Sequence, residues 1–93
     1  MHFLYILYSK SINKYYVGET VDVENRLQAH NQHKYRKGYT KAAEDWKIAL
    51  KLELESKENA LYIERFIKKM KSKKFIEKAI QNPLILQDIL KNK

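Results

Sequence analysis

Residues 15–31 read YYVGETVDVENRLQAHN, and the rest of the chain can be interpreted outward from them. The stretch opens with aromatic and β-branched residues, the composition of a strand. The pattern breaks at Gly18, one of only 2 glycines in the chain. Glycine at a strand end permits a positive φ or close backbone approach by a ligand. Helical spacing starts at Asp22, a good N-cap because its side-chain oxygen can accept from the free amides of a first turn. Val23 and Leu27 then recur four apart and make one short apolar stripe. Arg26 and His30 each lie three residues after one of these and border the stripe. A tyrosine, a tight turn, an arginine and a histidine are thus delivered to one neighbourhood.

Upstream, residues 2–9 (HFLYILYS) are almost all apolar or aromatic. Phe3, Tyr5 and Leu7 fall on one face and Leu4, Ile6 and Tyr8 on the other, the pattern of a central strand covered on both sides. If Lys10 to Asn13 form a short loop, Tyr15 to Gly18 return antiparallel. Pairing Ser9 with Lys14 then sets Tyr16 opposite Leu7 and makes Tyr5 and Tyr16 diagonal neighbours on one face. A slip of one residue would separate them.

Downstream, HKYRKGYTKAAED (33–45) is basic, contains Gly38 and has no clear period, so it reads as a loop. Residues 46–55 (WKIALKLELE) alternate. Trp46, Ile48, Leu50, Leu52 and Leu54 are expected to face one way and the charges the other, as on a half-buried edge strand. Ser56 can cap a helix over KENALYIERFIKKMK, with Ala60, Ile63, Ile67 and Met70 at helical spacing. Ser72 can cap a short helix through Phe75, Ile76 and Ile80. Asn82-Pro83 is a good start for a last helix, made amphipathic by Leu84, Ile85, Ile89 and Leu90.

A length of 93 residues bounds the chain to one domain with a modest core. The absence of cysteine excludes disulfides and thiolate metal sites. No apolar run is long enough to cross a bilayer and none reads as a signal peptide, so a cytoplasmic protein is expected. Lys plus Arg number 19 against 11 Asp plus Glu, a net charge of +8. That balance favours a polyanionic partner, nucleic acid first and an anionic membrane surface second; the plainer alternative is a solvated basic surface.

Glu64 lies four residues after Ala60 and three before Ile67, inside or beside the apolar stripe of its helix. A carboxylate taken out of water needs a partner cation, either Lys68 one turn on or a metal ion. Arg26 can pair with a carboxylate or clamp a phosphate, which its planar fork suits. His30 fits a general acid or base, a metal ligand or a satisfied core histidine. Tyr5 and Tyr16 also read as core aromatics.

The order of these parts resembles the GIY-YIG nuclease superfamily, in its small single-domain branch. Phe3-Leu4-Tyr5 stands at the first signature and Tyr16-Val17-Gly18 at the second. RLQAHN from Arg26 looks like the arginine helix of the family. YTK at 39–41, Trp46 and the ALxxE helix ending in lysines are also similar, so the likeness runs from about residue 3 to residue 76. It implies that Tyr5 and Tyr16 are paired site tyrosines, that Arg26 contacts the scissile phosphate and that Glu64 binds Mg²⁺ or Mn²⁺. His30 matches a catalytic histidine of some branches. The chain departs from the pattern at Phe3 and Leu4, and at Glu19, where many relatives carry a basic residue beside the phosphate site.

The expected fold is α/β (α+β), a small three-stranded antiparallel sheet packed by helices. A single nuclease domain would span 1–93, with 82–93 as a C-terminal helical extension. The expected activity is metal-dependent endonucleolytic hydrolysis of DNA, branched or damaged DNA included, with no membrane partner and no sequence specificity. Tyr16 is the first choice of base, which requires a cationic site to bring its pKa down from about 10. Gly18, Lys34, Arg36, Lys37, Lys41, Lys68, Lys69 and Lys71 are the expected nucleic-acid contacts. The rival readings are a non-catalytic nucleic-acid-binding module of the same fold and a protein-interaction adaptor using the last helix.

Overall fold

The fold was obtained as a computed structural model and is described for residues 1–32 and 43–93. The loop read at 33–42, with Lys34, Arg36, Lys37 and Lys41, lies outside the described residues. The elements run β1 (His2–Ser9), β2 (Lys14–Thr20), α1 (Val23–Asn31), β3 (Lys47–Leu54), α2 (Lys57–Met70), α3 (Lys73–Gln81) and α4 (Leu84–Lys91). They form an α+β fold around one 3-stranded sheet of order β2-β1-β3, with both pairings antiparallel. No helix among the described residues is long and apolar enough to cross a membrane.

β1 is the central strand because both of its faces are apolar. Leu4 and Ile6 enter one core with Val17, Leu54, Ala60, Ile63, Ile67, Ala79 and Leu86, so the helices after β3 cover that face. Tyr5 and Leu7 enter a second core with Val23, Ala43 and Trp46, under α1 and the approach to β3. The hairpin has the expected register, with Ser9 opposite Lys14 and Leu7 opposite Tyr16. Asn13 closes its turn at φ 51, a left-handed conformation that asparagine tolerates.

β2 does not end at Gly18, as the sequence pattern suggested, but pairs on to Thr20 opposite Phe3. β3 also departs from simple alternation. Leu50 pairs with Ile6 while Ile48 pairs with Leu7, which leaves Ala49 as an extra residue. Such a bulge reverses the facing of everything before it. Leu50, Leu52 and Leu54 therefore pack on the helical side. Trp46 packs with Tyr5 and Leu7 on the other. The expectation that all these residues share one face fails at that single residue.

The caps hold as expected. Asp22 accepts from Asn25 N at 3.0 Å, Ser56 from Asn59 N at 3.1 Å and Ser72 from Phe75 N at 3.1 Å. Each such cap is typically worth about 1 kcal/mol. The stripes of α2 and α4 pack as expected at Ala60, Ile63, Ile67, Ile89 and Leu90, and differ at two positions. Leu86 is the fully buried residue of α4 while Leu84 is exposed, and Met70 lies out in solvent at the end of α2.

One polar cluster ties the hairpin to the segment that enters β3. Asp45 Oδ1 accepts from the buried Ser9 hydroxyl at 2.6 Å and from Ser11 Oγ at 2.9 Å, and Oδ2 accepts from Ser11 N at 2.9 Å. These bonds, that from Ser9 first, bring the Asp45 pKa down from 3.8 to about 2. A depressed carboxylate stabilises the fold above its unfolded pKa, and that stabilisation is lost as pH falls through the folded value. Asp45→Asn should therefore lower the melting temperature at neutral pH, with a deficit that starts to shrink below pH 3.8 and fades through about pH 2. Thermal unfolding across that range checks it. A deficit that persists undiminished well below the lower value would contradict the role given to the carboxylate.

Candidate active site

Gly18 pairs with Tyr5 across the hairpin. A Cβ at Gly18 would meet Tyr5 Cζ and Oη at 2.7 Å and Cε1 at 2.9 Å. The glycine is thus required by close approach and not by a positive φ, and what approaches is a side chain of the chain itself. With its ring laid across Gly18, Tyr5 is buried and its hydroxyl stands 3.2 Å from His30 Nε2. The Tyr16 ring is 6.2 Å from that of Tyr5 and 4.6 Å from that of His30, centroid to centroid. The diagonal pairing of the two tyrosines is therefore present, and the second face of the hairpin brings α1 onto both.

His30 is buried at the end of α1. Burial, and after it the positive charge of Arg26, hold its pKa below the usual 6.5, so the ring is neutral at physiological pH. In the Nδ1–H tautomer a neutral imidazole accepts at Nε2, which lets the Tyr5 hydroxyl donate there. Arg26, one turn earlier, is exposed on the rim with its charge directed over this cluster.

Asn31 sets the position of the helix end. Its Oδ1 accepts from Trp46 N at 2.8 Å and its Nδ2 donates to Trp46 O at 3.0 Å. This two-way clamp ties the residue after His30 to the strand entry, and sequence reasoning missed it. No local pattern in the sequence signals it, because the two residues lie 15 positions apart.

Glu64 approaches from the other side of the sheet, on α2. Its side chain is 18% exposed and its Oε2 accepts from Lys68 Nζ at 2.7 Å. Lys68 Nζ also lies 5.9 Å from the Tyr16 ring centroid. The lysine thus links the carboxylate to the tyrosine around the β2 edge of the sheet. Tyr5, Tyr16 and His30 are in mutual contact and Arg26 acts on His30 through its charge, whereas Glu64 is linked to Tyr16 through Lys68. Lys69 and Lys71 are exposed at the end of α2, beside Lys68.

Among the described residues no three His, Cys, Asp or Glu side chains gather as a metal cluster. A lone, largely buried carboxylate still fits a hard divalent cation that takes most of its ligands from water and substrate oxygens. The ammonium of Lys68 holds the place such a cation would compete for. Glu19 faces away from Tyr5, pairing with Leu4, and its Oε2 lies 3.4 Å from His2 Nε2 without making a hydrogen bond.

Gly18→Ala tests the arrangement. Its methyl would enter the buried Tyr5 ring, and overpacking of this kind costs about 1–3 kcal/mol. The variant should melt several degrees lower and lose the Tyr5–His30 contact, read from the His30 ring resonances. An unchanged melting temperature with unchanged resonances would contradict the close approach.

The family model described as the GIY-YIG catalytic domain matches residues 1–78. A protein of Syntrophus aciditrophicus (strain SB), named "UPF0213 protein", is 37% identical over 82 residues, covering 88% of this chain and 93% of the relative. No solved structure matches the chain. The Tyr5 ring laid over Gly18 with Tyr16 beside it, the arginine helix carrying His30 and the match across most of the length agree: the chain belongs to the GIY-YIG family of nuclease-type domains.

Proposed function

We propose that this protein is a metal-dependent endonuclease that hydrolyses phosphodiester bonds in DNA. What supports the reading above all is the Tyr5 hydroxyl at 3.2 Å from a neutral, buried His30, with the Tyr16 ring against the same imidazole. Buried polar groups placed to exchange a proton beside an arginine are the components of general acid–base chemistry at a phosphate.

In this proposal Tyr16 takes the proton of the attacking water, with the Lys68 ammonium 5.9 Å from its ring centroid. The water oxygen bonds to phosphorus while the bond to the 3′ oxygen breaks. That oxygen leaves with a proton from solvent, giving a 3′-hydroxyl and a 5′-phosphate. Arg26 pairs with the non-bridging oxygens, where negative charge develops. Tyr5 donates to His30 and holds it in the tautomer that faces the site. Glu64 would hold Mg²⁺ or Mn²⁺, and a bound cation supplies polarisation of the phosphoryl group and stabilisation of the leaving oxygen. The exposed Lys69 and Lys71 would contact flanking phosphates, together with Lys68, while Gly18, covered by the Tyr5 ring, would serve by letting that phenol lie across β2.

One observation favours a second reading, a nucleic-acid-binding module without turnover. Glu64 already has a cation, the Lys68 ammonium at 2.7 Å. Glu64→Gln separates the two. In the endonuclease, cleavage in Mg²⁺ or Mn²⁺ should fall by two or more orders of magnitude while DNA binding is retained, since the lysines are untouched. In a binding module neither the wild-type chain nor the variant cuts in Mg²⁺ or Mn²⁺, and loss of the ion pair shows only as a lower melting temperature.

A further inference from the structure

We infer that the cleft between the outer edge of β2 and the α2–α3 corner holds an unpaired nucleotide, so that the substrate is DNA with a single-stranded segment next to the cut. This rests on the nuclease reading for the cut itself, though not for the binding. The cleft encloses about 550 Å³, within the usual range of small-ligand sites. Tyr16 and Lys68 belong both to its lining and to the candidate active site, so the two are continuous.

The lining sorts by chemistry. Val17, Ile67 and Ile76 give an apolar floor flanked by the side chains of Tyr15 and Tyr16. Lys14, Lys71 and Lys73 stand around it, and among the described residues no carboxylate pairs with any of them. Two acids reach lining residues: Glu77 Oε2 accepts from the Tyr15 hydroxyl at 3.3 Å, and Glu64 Oε2 accepts from Lys68 Nζ at 2.7 Å. Lys73 Nζ donates to Asn13 O at 3.1 Å and keeps its charge unneutralised. An apolar, aromatic slot bordered by Lys14, Lys71 and Lys73, the last of them 5.9 Å over the Tyr15 ring, complements a planar base attached to anionic phosphates. A duplex would offer such a slot only sugar and phosphate, because its bases are stacked and paired inside.

The backbone adds an independent sign. Asn13 and Lys71, at φ 51 and 48, are the non-glycine residues of positive φ in the described chain, and both line this cleft. Lys71 stands at the C-cap of α2, where glycine is the unstrained choice. A lysine kept in that conformation is explained if its ammonium is needed at the mouth of the cleft.

The full chain, in chelator to suppress cutting, is titrated by fluorescence anisotropy with octathymidylate, with an abasic octamer of equal charge and with a hairpin duplex. The bases should make octathymidylate bind about tenfold more tightly than the abasic strand. Tyr15→Leu should remove that difference. Lys71→Gly should raise the melting temperature while weakening octathymidylate binding severalfold, so loss of folding cannot account for the effect. Equal affinity of the wild-type chain for the thymidylate and abasic strands would overturn the inference, as would equal competition by the duplex. Cleavage is scored separately. Base-dependent binding with no cutting in Mg²⁺ or Mn²⁺ would remove the nuclease reading and leave the cleft. Cutting without base-dependent binding would do the opposite.

Discussion

The Tyr5 ring can lie across β2 only because position 18 has no Cβ. A methyl there would sit 2.7 Å from the ring. From that position the phenol reaches His30, and His30 in turn carries the Tyr16 ring against its face. The approach depends on register, since a slip of one residue in the hairpin would turn Tyr5 away from α1. Register depends on the turn, where Asn13 takes a left-handed conformation, and on Asp45, which binds Ser9 and Ser11 to the start of β3. The far end of α1 is held by the Asn31–Trp46 clamp. Short polar bonds at both ends thus hold an aromatic cluster whose centre is a missing side chain.

Lys68 gives this arrangement its second dependence. It bonds Glu64 and lies over Tyr16, so one ammonium balances the carboxylate and bears on the phenol. If Glu64 held a divalent cation, Lys68 would lose this partner and its charge would be available to a phosphate. The lysine end of the pair is open to solvent, with Lys68 53% exposed, while the carboxylate end is largely shielded, with Glu64 18% exposed. The same geometry suits a resting enzyme and a binding module, which is why a substitution that removes only the charge of Glu64 distinguishes them.

Much of this was legible in the sequence. The hairpin register followed from a short loop and two-sided apolarity, and the caps from Asp22, Ser56 and Ser72. The meeting of Tyr5, Tyr16 and His30 followed from register together with the helix spacing after Asp22. The Glu64–Lys68 pair was one of the alternatives that the spacing left open. What could not be read depends on single residues in three dimensions. The extra residue at Ala49 leaves an alternating pattern unbroken to the eye yet reverses Trp46. Gly18 looked like a strand end, when it is an interior position emptied for a tyrosine. Leu86 and not Leu84 fills the core from the first turn of α4, while Ile89 and Leu90 pack there as their spacing implies. Asp45 and Asn31 act across the fold, on partners 36 and 15 positions away, and no local pattern encodes that.

The central claim is that the tyrosines over Gly18 form a hydrolytic centre and not merely a packed core. Its most direct test is the single-turnover cleavage rate of Tyr16→Phe on a labelled branched DNA in Mn²⁺, measured beside its melting curve. The substitution removes one hydroxyl and keeps the ring against His30. The account predicts an unchanged melting temperature and a rate lowered about 10²–10⁴-fold, the usual contribution of a general base. A variant that cuts at the wild-type rate would contradict it.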